Sequence, residues 1–425
     1  MKILMVCLNY APELTGIGKY TAEQAEWLAA RGHAVRVVTA PPYYPAWRIG
    51  DGYRAWQYRR EQIRGVDVWR APVWIPARQS GARRLLHLAS FALSSLPLLA
   101  RQLFWRPDIV FMVEPPLMCT PAATLLARLA GARTWLHVQD YEVDAAFALG
   151  LLRRPWLRRL ATRCERMLLA RQDCVSSISP AMVALAIDKG VAPSRTMLLP
   201  NWTVLHQPSP DATAAMRREL GIPDQSVMAL YSGNMGAKQG LERLSAAAVR
   251  LRGRADIHLV FCGDGSGRAA LLAACAGLER VRFLPLQDNE RFPALLAAAD
   301  IHLLPQRADV ADLVMPSKLT GMLASARPVV TTAASGSALA EVVQRCGIVV
   351  PPGDDDAFAS AIAALADAPA RRVALGNAGL EWARRHLERD TILGQLEQAL
   401  QAMLSDTAGT GNSTDARDNA FERWR

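Results

Sequence analysis

Lysine is scarce in this chain. Of 49 Lys and Arg residues, only Lys2, Lys19, Lys189, Lys238 and Lys318 are lysine. Surface charge is carried by arginine, which weakens the default reading of any one lysine as a solvated surface group. A retained lysine is expected where a compact, strongly hydrated ammonium serves better than a planar bidentate fork. Cysteine pairing is missing too. The seven cysteines (7, 119, 164, 174, 262, 275 and 346) are scattered, odd in number and without a CxxC pair. That argues against a disulfide framework and points to free thiols, mostly buried, in a reducing compartment. No His/Cys/Asp cluster has ligand spacing, so no metal is expected. Long apolar runs are absent as well. The best candidate, residues 85–105, is broken by His87, Pro97, Arg101 and three serines, short of the ~20 apolar residues a membrane span needs. Residues 1–8 are too short for an export signal and read as a first strand.

The chain has 425 residues, 51% of them hydrophobic and 21% charged, which describes a globular protein of more than one core. Its formal charge of +10 is uneven. Residues 1–205 hold 26 basic against 14 acidic residues, a net of +12, and the remainder has a net of −2. An anionic partner is therefore expected for the first half: lipid headgroups, a phosphorylated acceptor or nucleic acid.

Short apolar runs alternate with helical stretches, the signature of βαβ units and parallel sheets. Strands are expected at 3–8, 34–39, 67–70, 109–113, 134–138, 174–177 and 197–199, with a helix over 20–30. Pro200, Pro208 and Pro210 mark a connection. A second series follows, with strands at 227–230, 258–262, 281–284, 301–304, 328–331 and 348–350. Its helix over 241–251 carries apolar residues at 241, 244, 248 and 251, one helical face. Asp354 or Asp355 caps a helix to about 365, and two more reach about 404. The expected division is a basic first domain over 1–205, a second over 206–385, a C-terminal helix over 386–404 and a disordered polar tail over 405–425. The expected fold class is α/β, two Rossmann-like doubly wound domains facing across a cleft, with ligands at the carboxyl ends of the strands.

Lys238 and Lys318 each follow a strand of the second series. Lys238 ends Tyr231-Ser-Gly-Asn-Met-Gly-Ala-Lys238, and Lys318 ends Met315-Pro-Ser-Lys318. Both loops open on one sheet edge, and two ammonium groups beside glycine turns point to a diphosphate ligand. Ser317 can donate from its hydroxyl, and the N–H groups around Gly233, Asn234 and Gly236 can cradle an oxygen. Gly263-Asp-Gly265 reads as a structural turn nearby. Gly16-Ile-Gly18 follows the first strand, where glycine lets backbone approach an anion or merely forms a tight turn. Thr21 replaces the third glycine of a dinucleotide fingerprint and no acidic residue ends the second strand, which argues against a dinucleotide. His137 ends an apolar strand with Asp140, Glu142 and Asp144 beyond it. It is either a satisfied core histidine or a group that orients or protonates a hydroxyl. Residues 78–106 mix Arg83, Arg84 and Arg101 with leucines and aromatics. A second basic cluster spans Arg153 to Arg166. These read as an anionic membrane surface contact or as packing helices with an arginine rim.

Tyr10-Ala-Pro-Glu-Leu-Thr-Gly-Ile-Gly, Ser232-Gly-Asn-Met-Gly-Ala-Lys-Gln-Gly-Leu, Met315-Pro-Ser-Lys-Leu, Ala326-Arg-Pro-Val-Val and Gly347-Ile-Val-Val-Pro-Pro-Gly-Asp together resemble the family-4 glycosyltransferases with the GT-B fold. Within that family the chain is most similar to the colanic-acid-type enzymes of bacterial exopolysaccharide biosynthesis. The resemblance implies a hexosyltransferase-type enzyme, retaining and metal-independent, with no cofactor. A nucleotide-sugar donor, held by residues 206–385 as donor domain, and a lipid-linked saccharide acceptor, held by residues 1–205 as membrane-facing acceptor domain, would be its substrates, at the inner face of the cytoplasmic membrane. Lys238 would neutralise the leaving diphosphate, His137 would lie near the transferred sugar, and Gly16 and Gly18 would approach the donor. The chain departs from the family at its pair of glutamates, whose places fall near Leu313 and Gly321. Ser317 and Lys318 are then expected to shift recognition toward phosphate, with Asp309 or Asp312 serving sugar hydroxyls. Rival readings are an epimerase or phosphorylase on the same fold, or a non-catalytic scaffold of polysaccharide assembly. A nucleic-acid partner ranks last, since no binding motif accompanies the charge.

Overall fold

The computed structural model describes residues 1–13, 16–77, 81–148, 155–203, 205, 208–236, 239–288, 290–306, 316 and 318–405. The chain divides into two compact units. Unit 1 is Met1–Pro200 with Asp390–Arg425, and unit 2 is Asn201–Arg389.

Unit 1 is built on eight strands: β1 (Lys2–Val6), β2 (Ala34–Thr39), β3 (Arg59–Ile63), β4 (Val66–Arg70), β5 (Ile109–Glu114), β6 (Arg133–Val138), β7 (Cys174–Ser177) and β8 (Thr196–Leu198). Their order in the sheet is β3-β4-β2-β1-β5-β6-β7-β8. All neighbours are parallel except β3, which runs antiparallel to β4. The central strands read as continuous Val, Ile, Leu and Met because both faces are covered, as a parallel sheet between helical layers requires. In β5 all six residues are buried. The polar run Arg-Arg-Glu-Gln-Ile of β3 carries no apolar alternation, and its strand was not foreseen. It is an edge, where charged side chains guard unpaired backbone.

Unit 2 has six strands: β9 (Val227–Ser232), β10 (Ile257–Cys262), β11 (Val281–Leu284), β12 (Ile301–Leu304), β13 (Val329–Thr332) and β14 (Gly347–Val350). They run in the order β11-β10-β9-β12-β13-β14, all parallel. Numbered within the unit, that is 3-2-1-4-5-6, the doubly wound order whose direction reverses at β9. Ligands of such sheets bind beyond the strand ends at that reversal, and β9 feeds the loop that carries Gly233 and Asn234. Asp354 caps the helix Asp355–Ala366 by accepting from the Ala357 amide at 2.8 Å, in the manner of N-cap aspartates.

The connection falls at Pro200, five residues before the expected boundary, and the C-terminal helix belongs with unit 1. This helix, Arg389–Ser405, buries Leu393, Leu396 and Leu400. Its Glu397 accepts from Arg31 Nε at 2.8 Å and lies 2.7 Å from His33 Nε2. The Trp27 indole donates to Asp390 at 3.0 Å. All seven cysteines are free, and only Cys164 is exposed.

Candidate functional site

The loops that follow β9 and β10 are fastened to each other through glycine. The Gly233 amide donates to the Cys262 carbonyl (3.0 Å), the Met235 amide to the Asp264 carbonyl (2.8 Å) and the Gly267 amide to the Met235 carbonyl (2.8 Å). No side chain fits at this seam. A β-carbon on Gly263 (φ +148°) would fall 1.9 Å from the Gly233 carbonyl oxygen, and one on Gly265 (φ +150°) 2.7 Å from Met235. Gly263-Asp-Gly265 is thus a structural turn. The amides of Gly233 and Met235, expected among the groups that cradle an oxyanion, are instead committed to this seam.

Lys318 begins the helix Lys318–Ala324 and reaches back over this loop. Its Nζ donates to Gln239 Oε1 at 2.7 Å and to the Tyr231 hydroxyl at 3.2 Å, and it lies 4.4 Å from the Tyr231 ring centroid. Tyr231 is fully buried near the end of β9, and its hydroxyl donates onward to the Asn234 carbonyl at 2.6 Å. A β-carbon on Gly233 would meet the lysine stem at ordinary contact distance, 3.7 Å from Cδ, so the φ of +127° is what favours glycine there. Desolvation alone lowers the Lys318 ammonium to about 7, because no carboxylate faces it among the described residues. Lys19 and Lys189, by contrast, pair with Glu23 and with Asp144 and Glu165. Ser232, at the end of β9, has a buried hydroxyl oxygen with no partner among the described residues. Lys238, Ser317, Asp309 and Asp312 lie outside the described residues.

In unit 1 the strand ends carry different groups. His137 is 3% exposed in β6; its Nδ1 lies 2.9 Å from Ser176 Oγ, and the Gln139 amide donates to its Nε2 at 3.0 Å. Desolvation lowers its pKa to about 3, so the imidazole stays neutral at physiological pH. A role as a protonated acid is therefore remote, and a neutral hydrogen-bonding role remains. The acidic residues beyond it have work of their own. Glu142 Oε2 accepts the Leu117 amide at 2.7 Å, with burial pushing its carboxyl up to about 7, and Asp144 pairs with Lys189 at 2.7 Å.

After β1, Glu13 is buried and accepts from the Tyr43 amide (2.9 Å), the Tyr44 amide (3.0 Å) and the Asn9 side chain (2.9 Å). Gly18 faces this carboxylate: a β-carbon there would sit 2.7 Å from Glu13 Oε2. Gly16 adopts φ +64° beside the Tyr44 ring, a turn that favours glycine. Each glycine thus has a local packing reason of its own. Glu13, Tyr231 and Gln239 were not singled out from the sequence, although Glu13 and Gln239 lie inside motifs quoted for the resemblance and Tyr231 directly precedes one. A carboxylate three residues before a glycine turn, and an amide directly after Lys238, were the signals available.

Two family models match the chain: a glycosyl transferase 4-like domain over residues 15–202 and glycosyl transferases group 1 over residues 226–368. The putative colanic acid biosynthesis glycosyl transferase WcaI of Escherichia coli (strain K12) is 44% identical over 408 residues, which is 93% of this chain and 98% of that protein. This chain is a glycosyltransferase of that family. A GDP-mannose-dependent alpha-(1-6)-phosphatidylinositol monomannoside mannosyltransferase of Mycobacterium tuberculosis is 27% identical over 94% of this chain and 98% of its own length. The solved structure of Anabaena Alr3699/HepE in complex with UDP superposes with a TM-score of 0.70 at 17% identity, covering 95% of this chain and 100% of that one. The fold is GT-B, with two α/β domains on parallel sheets.

The glycosyltransferase presents its basic residues on helices of unit 1. Arg83, Arg84 and Arg101 are exposed on the helix Gly81–Gln102, with Leu86 and Leu93 also outward at 60% and 68%. The Arg101 guanidinium lies over the Trp69 ring at 5.6 Å. The helix Pro155–Ala170 repeats the pattern, with Arg158, Arg159, Arg163 and Arg166 beside exposed Trp156, Leu160 and Met167. Among the described residues no helix is long and apolar enough to cross a membrane, and no group of three His, Cys, Asp or Glu residues is placed to hold a metal.

Proposed function

We propose that this glycosyltransferase moves a sugar from a nucleotide-diphosphate donor to a lipid-linked saccharide in exopolysaccharide assembly of the colanic acid type. Transfer retains the anomeric configuration and needs no metal ion. The observation that carries the reading is Lys318, a lysine placed over the glycine seam at the sheet's reversal and facing no carboxylate among the described residues. A cation in that position can take up the negative charge that grows on the leaving diphosphate, an effect specific to the transition state. Lys238, on the loop after β9, would share that load, and Ser317 would add a hydroxyl. Asp309 or Asp312 would hold sugar hydroxyls in place of the missing glutamates. In unit 1 the neutral His137 would orient a hydroxyl of the transferred sugar in exchange for the Gln139 amide at its Nε2. The exposed arginines and leucines suit an anionic membrane, where the acceptor's lipid resides. The name of the WcaI relative supports the pathway, and the mycobacterial relative is named for a lipid-borne acceptor.

Release of nucleoside diphosphate from UDP- and GDP-sugars, measured with and without a polyprenyl-diphosphate saccharide, tests the reading. Acceptor-dependent release is expected, unaffected by EDTA, with the donor's anomeric configuration kept in the product by NMR. Release without acceptor would favour a hydrolytic reaction, and a changed sugar still attached to its nucleotide would favour an epimerase. Lys318→Ala is expected to lower kcat/KM about 100-fold. Replacing Arg83, Arg84 and Arg101 together with Glu is expected to release the protein from anionic liposomes, and unchanged flotation would remove the membrane contact from the reading.

A further inference from the structure

The contacts of Lys318 join the two lysine-bearing segments of unit 2. Gln239, which accepts its shorter hydrogen bond, follows Lys238 directly in the chain. Tyr231, which accepts the longer one, lies under the same loop and also holds it through the Asn234 carbonyl. The two partners differ in kind. Tyr231 is fully buried in β9, where its ring and hydroxyl are fixed by the strand. Gln239 is half-buried on the loop, and its neutral carboxamide is the weaker acceptor for an ammonium: charge-assisted bonds to an anion are roughly twice as strong as neutral ones.

We infer that Gln239 is a placeholder, its carboxamide oxygen occupying on Lys318 the position that a donor diphosphate oxygen takes, while Tyr231 is the fixed positioning residue that keeps the ammonium aimed there. The inference rests on the donor reading of Lys318. Donor binding then exchanges a neutral acceptor for an anionic one and frees the loop segment next to Lys238. The Tyr231 face and hydroxyl hold the lysine during the exchange, so its stem need not be ordered anew when donor arrives.

The test uses full-length protein and isothermal titration with UDP and with GDP, with melting temperatures to confirm folding. Gln239→Glu supplies an internal carboxylate, and its expected effect is a Kd raised at least about tenfold by competition for Lys318. Gln239→Ala removes the placeholder, and its Kd is expected to stay level or tighten a few-fold. Tyr231→Phe keeps the ring and loses the hydroxyl. It should raise KM for donor more than it lowers kcat, with Lys318 less well aimed before binding. Equal weakening by Gln239→Ala and Gln239→Glu would overturn the inference, since Gln239 would then be a direct contact of the diphosphate. An unchanged Kd in Gln239→Glu would overturn it as well. Lys318→Ala separates the two levels. If it loses UDP and GDP binding while Gln239→Glu does not, only the placeholder fails. If it binds both as wild type does, the donor reading of Lys318 fails with it.

Discussion

The loops after β1 and β9 stand at equivalent places in two sheets of the same winding, yet they are completed in opposite ways. After β1, the anion is part of the chain. Glu13 collects two backbone amides and a side-chain amide, and Gly18 is bare so that the carboxylate can fit. After β9, glycine meets glycine, and the charged group above the seam is a cation held by a phenol and a carboxamide. The first loop has supplied its own counter-group; the second presents a positive charge to whatever binds. A glycine-rich turn after a first strand therefore does not by itself mark a phosphate site. What separates the two is the charge that the surrounding chain leaves over.

Breaking the glycine seam should have the largest effect. In Gly263→Ala the new methyl would overlap the Gly233 carbonyl oxygen at 1.9 Å, at a φ of +148° that a side chain rarely adopts. Backbone cannot step aside as a side-chain end can, so about 3–5 kcal/mol of destabilisation is expected, with loss of UDP and GDP binding. Calorimetric melting and titration would check this, and a variant that melts with wild type would show that the seam does not hold the loop. Gly18→Ala meets the end of a glutamate side chain, which can shift, so about 1–2 kcal/mol is expected. The cost should shrink in a Glu13→Ala background, because the two residues touch and their effects cannot add. Additive losses would mean that Gly18 is needed for something other than Glu13.

Much of the fold was legible in the sequence because parallel strands buried on both faces leave uninterrupted apolar runs. Every expected strand is present, with ends shifted by a residue or two. The missed strand, β3, has an exposed polar pattern that hydrophobic periodicity cannot register. The return of the C-terminal helix to unit 1 depends on Glu397 meeting Arg31 and His33 across more than 360 residues, and no local pattern encodes that. At the site, lysine scarcity pointed to Lys318 but not to its partners. Tyr231 reads as a core aromatic at the end of a strand, and only the fold shows its hydroxyl beneath the ammonium. His137 was found by position, while its neutrality follows from burial that the sequence does not display.

A graded effect lies in pH, and it separates the two loops most sharply. The Lys318 ammonium is held down to about 7 by desolvation, well below the roughly 10.4 of a lysine in the unfolded chain. Between those values the unfolded state binds the additional proton, so this group makes the ligand-free protein more stable as pH rises through that window, with no further change below about 7. Donor binding has the opposite sign. A diphosphate favours the charged lysine, so affinity should be level below about 7 and weaken above it, by at most about tenfold per pH unit. The Tyr231 phenol, the titratable group packed against the ammonium, is raised by burial and stays neutral throughout. Titrations of UDP from pH 6.5 to 9 would show the decline, and Lys318→Arg, whose guanidinium keeps its charge, should flatten it. A wild-type profile that is already flat would mean that the ammonium over the β9 loop is not the group that meets the diphosphate.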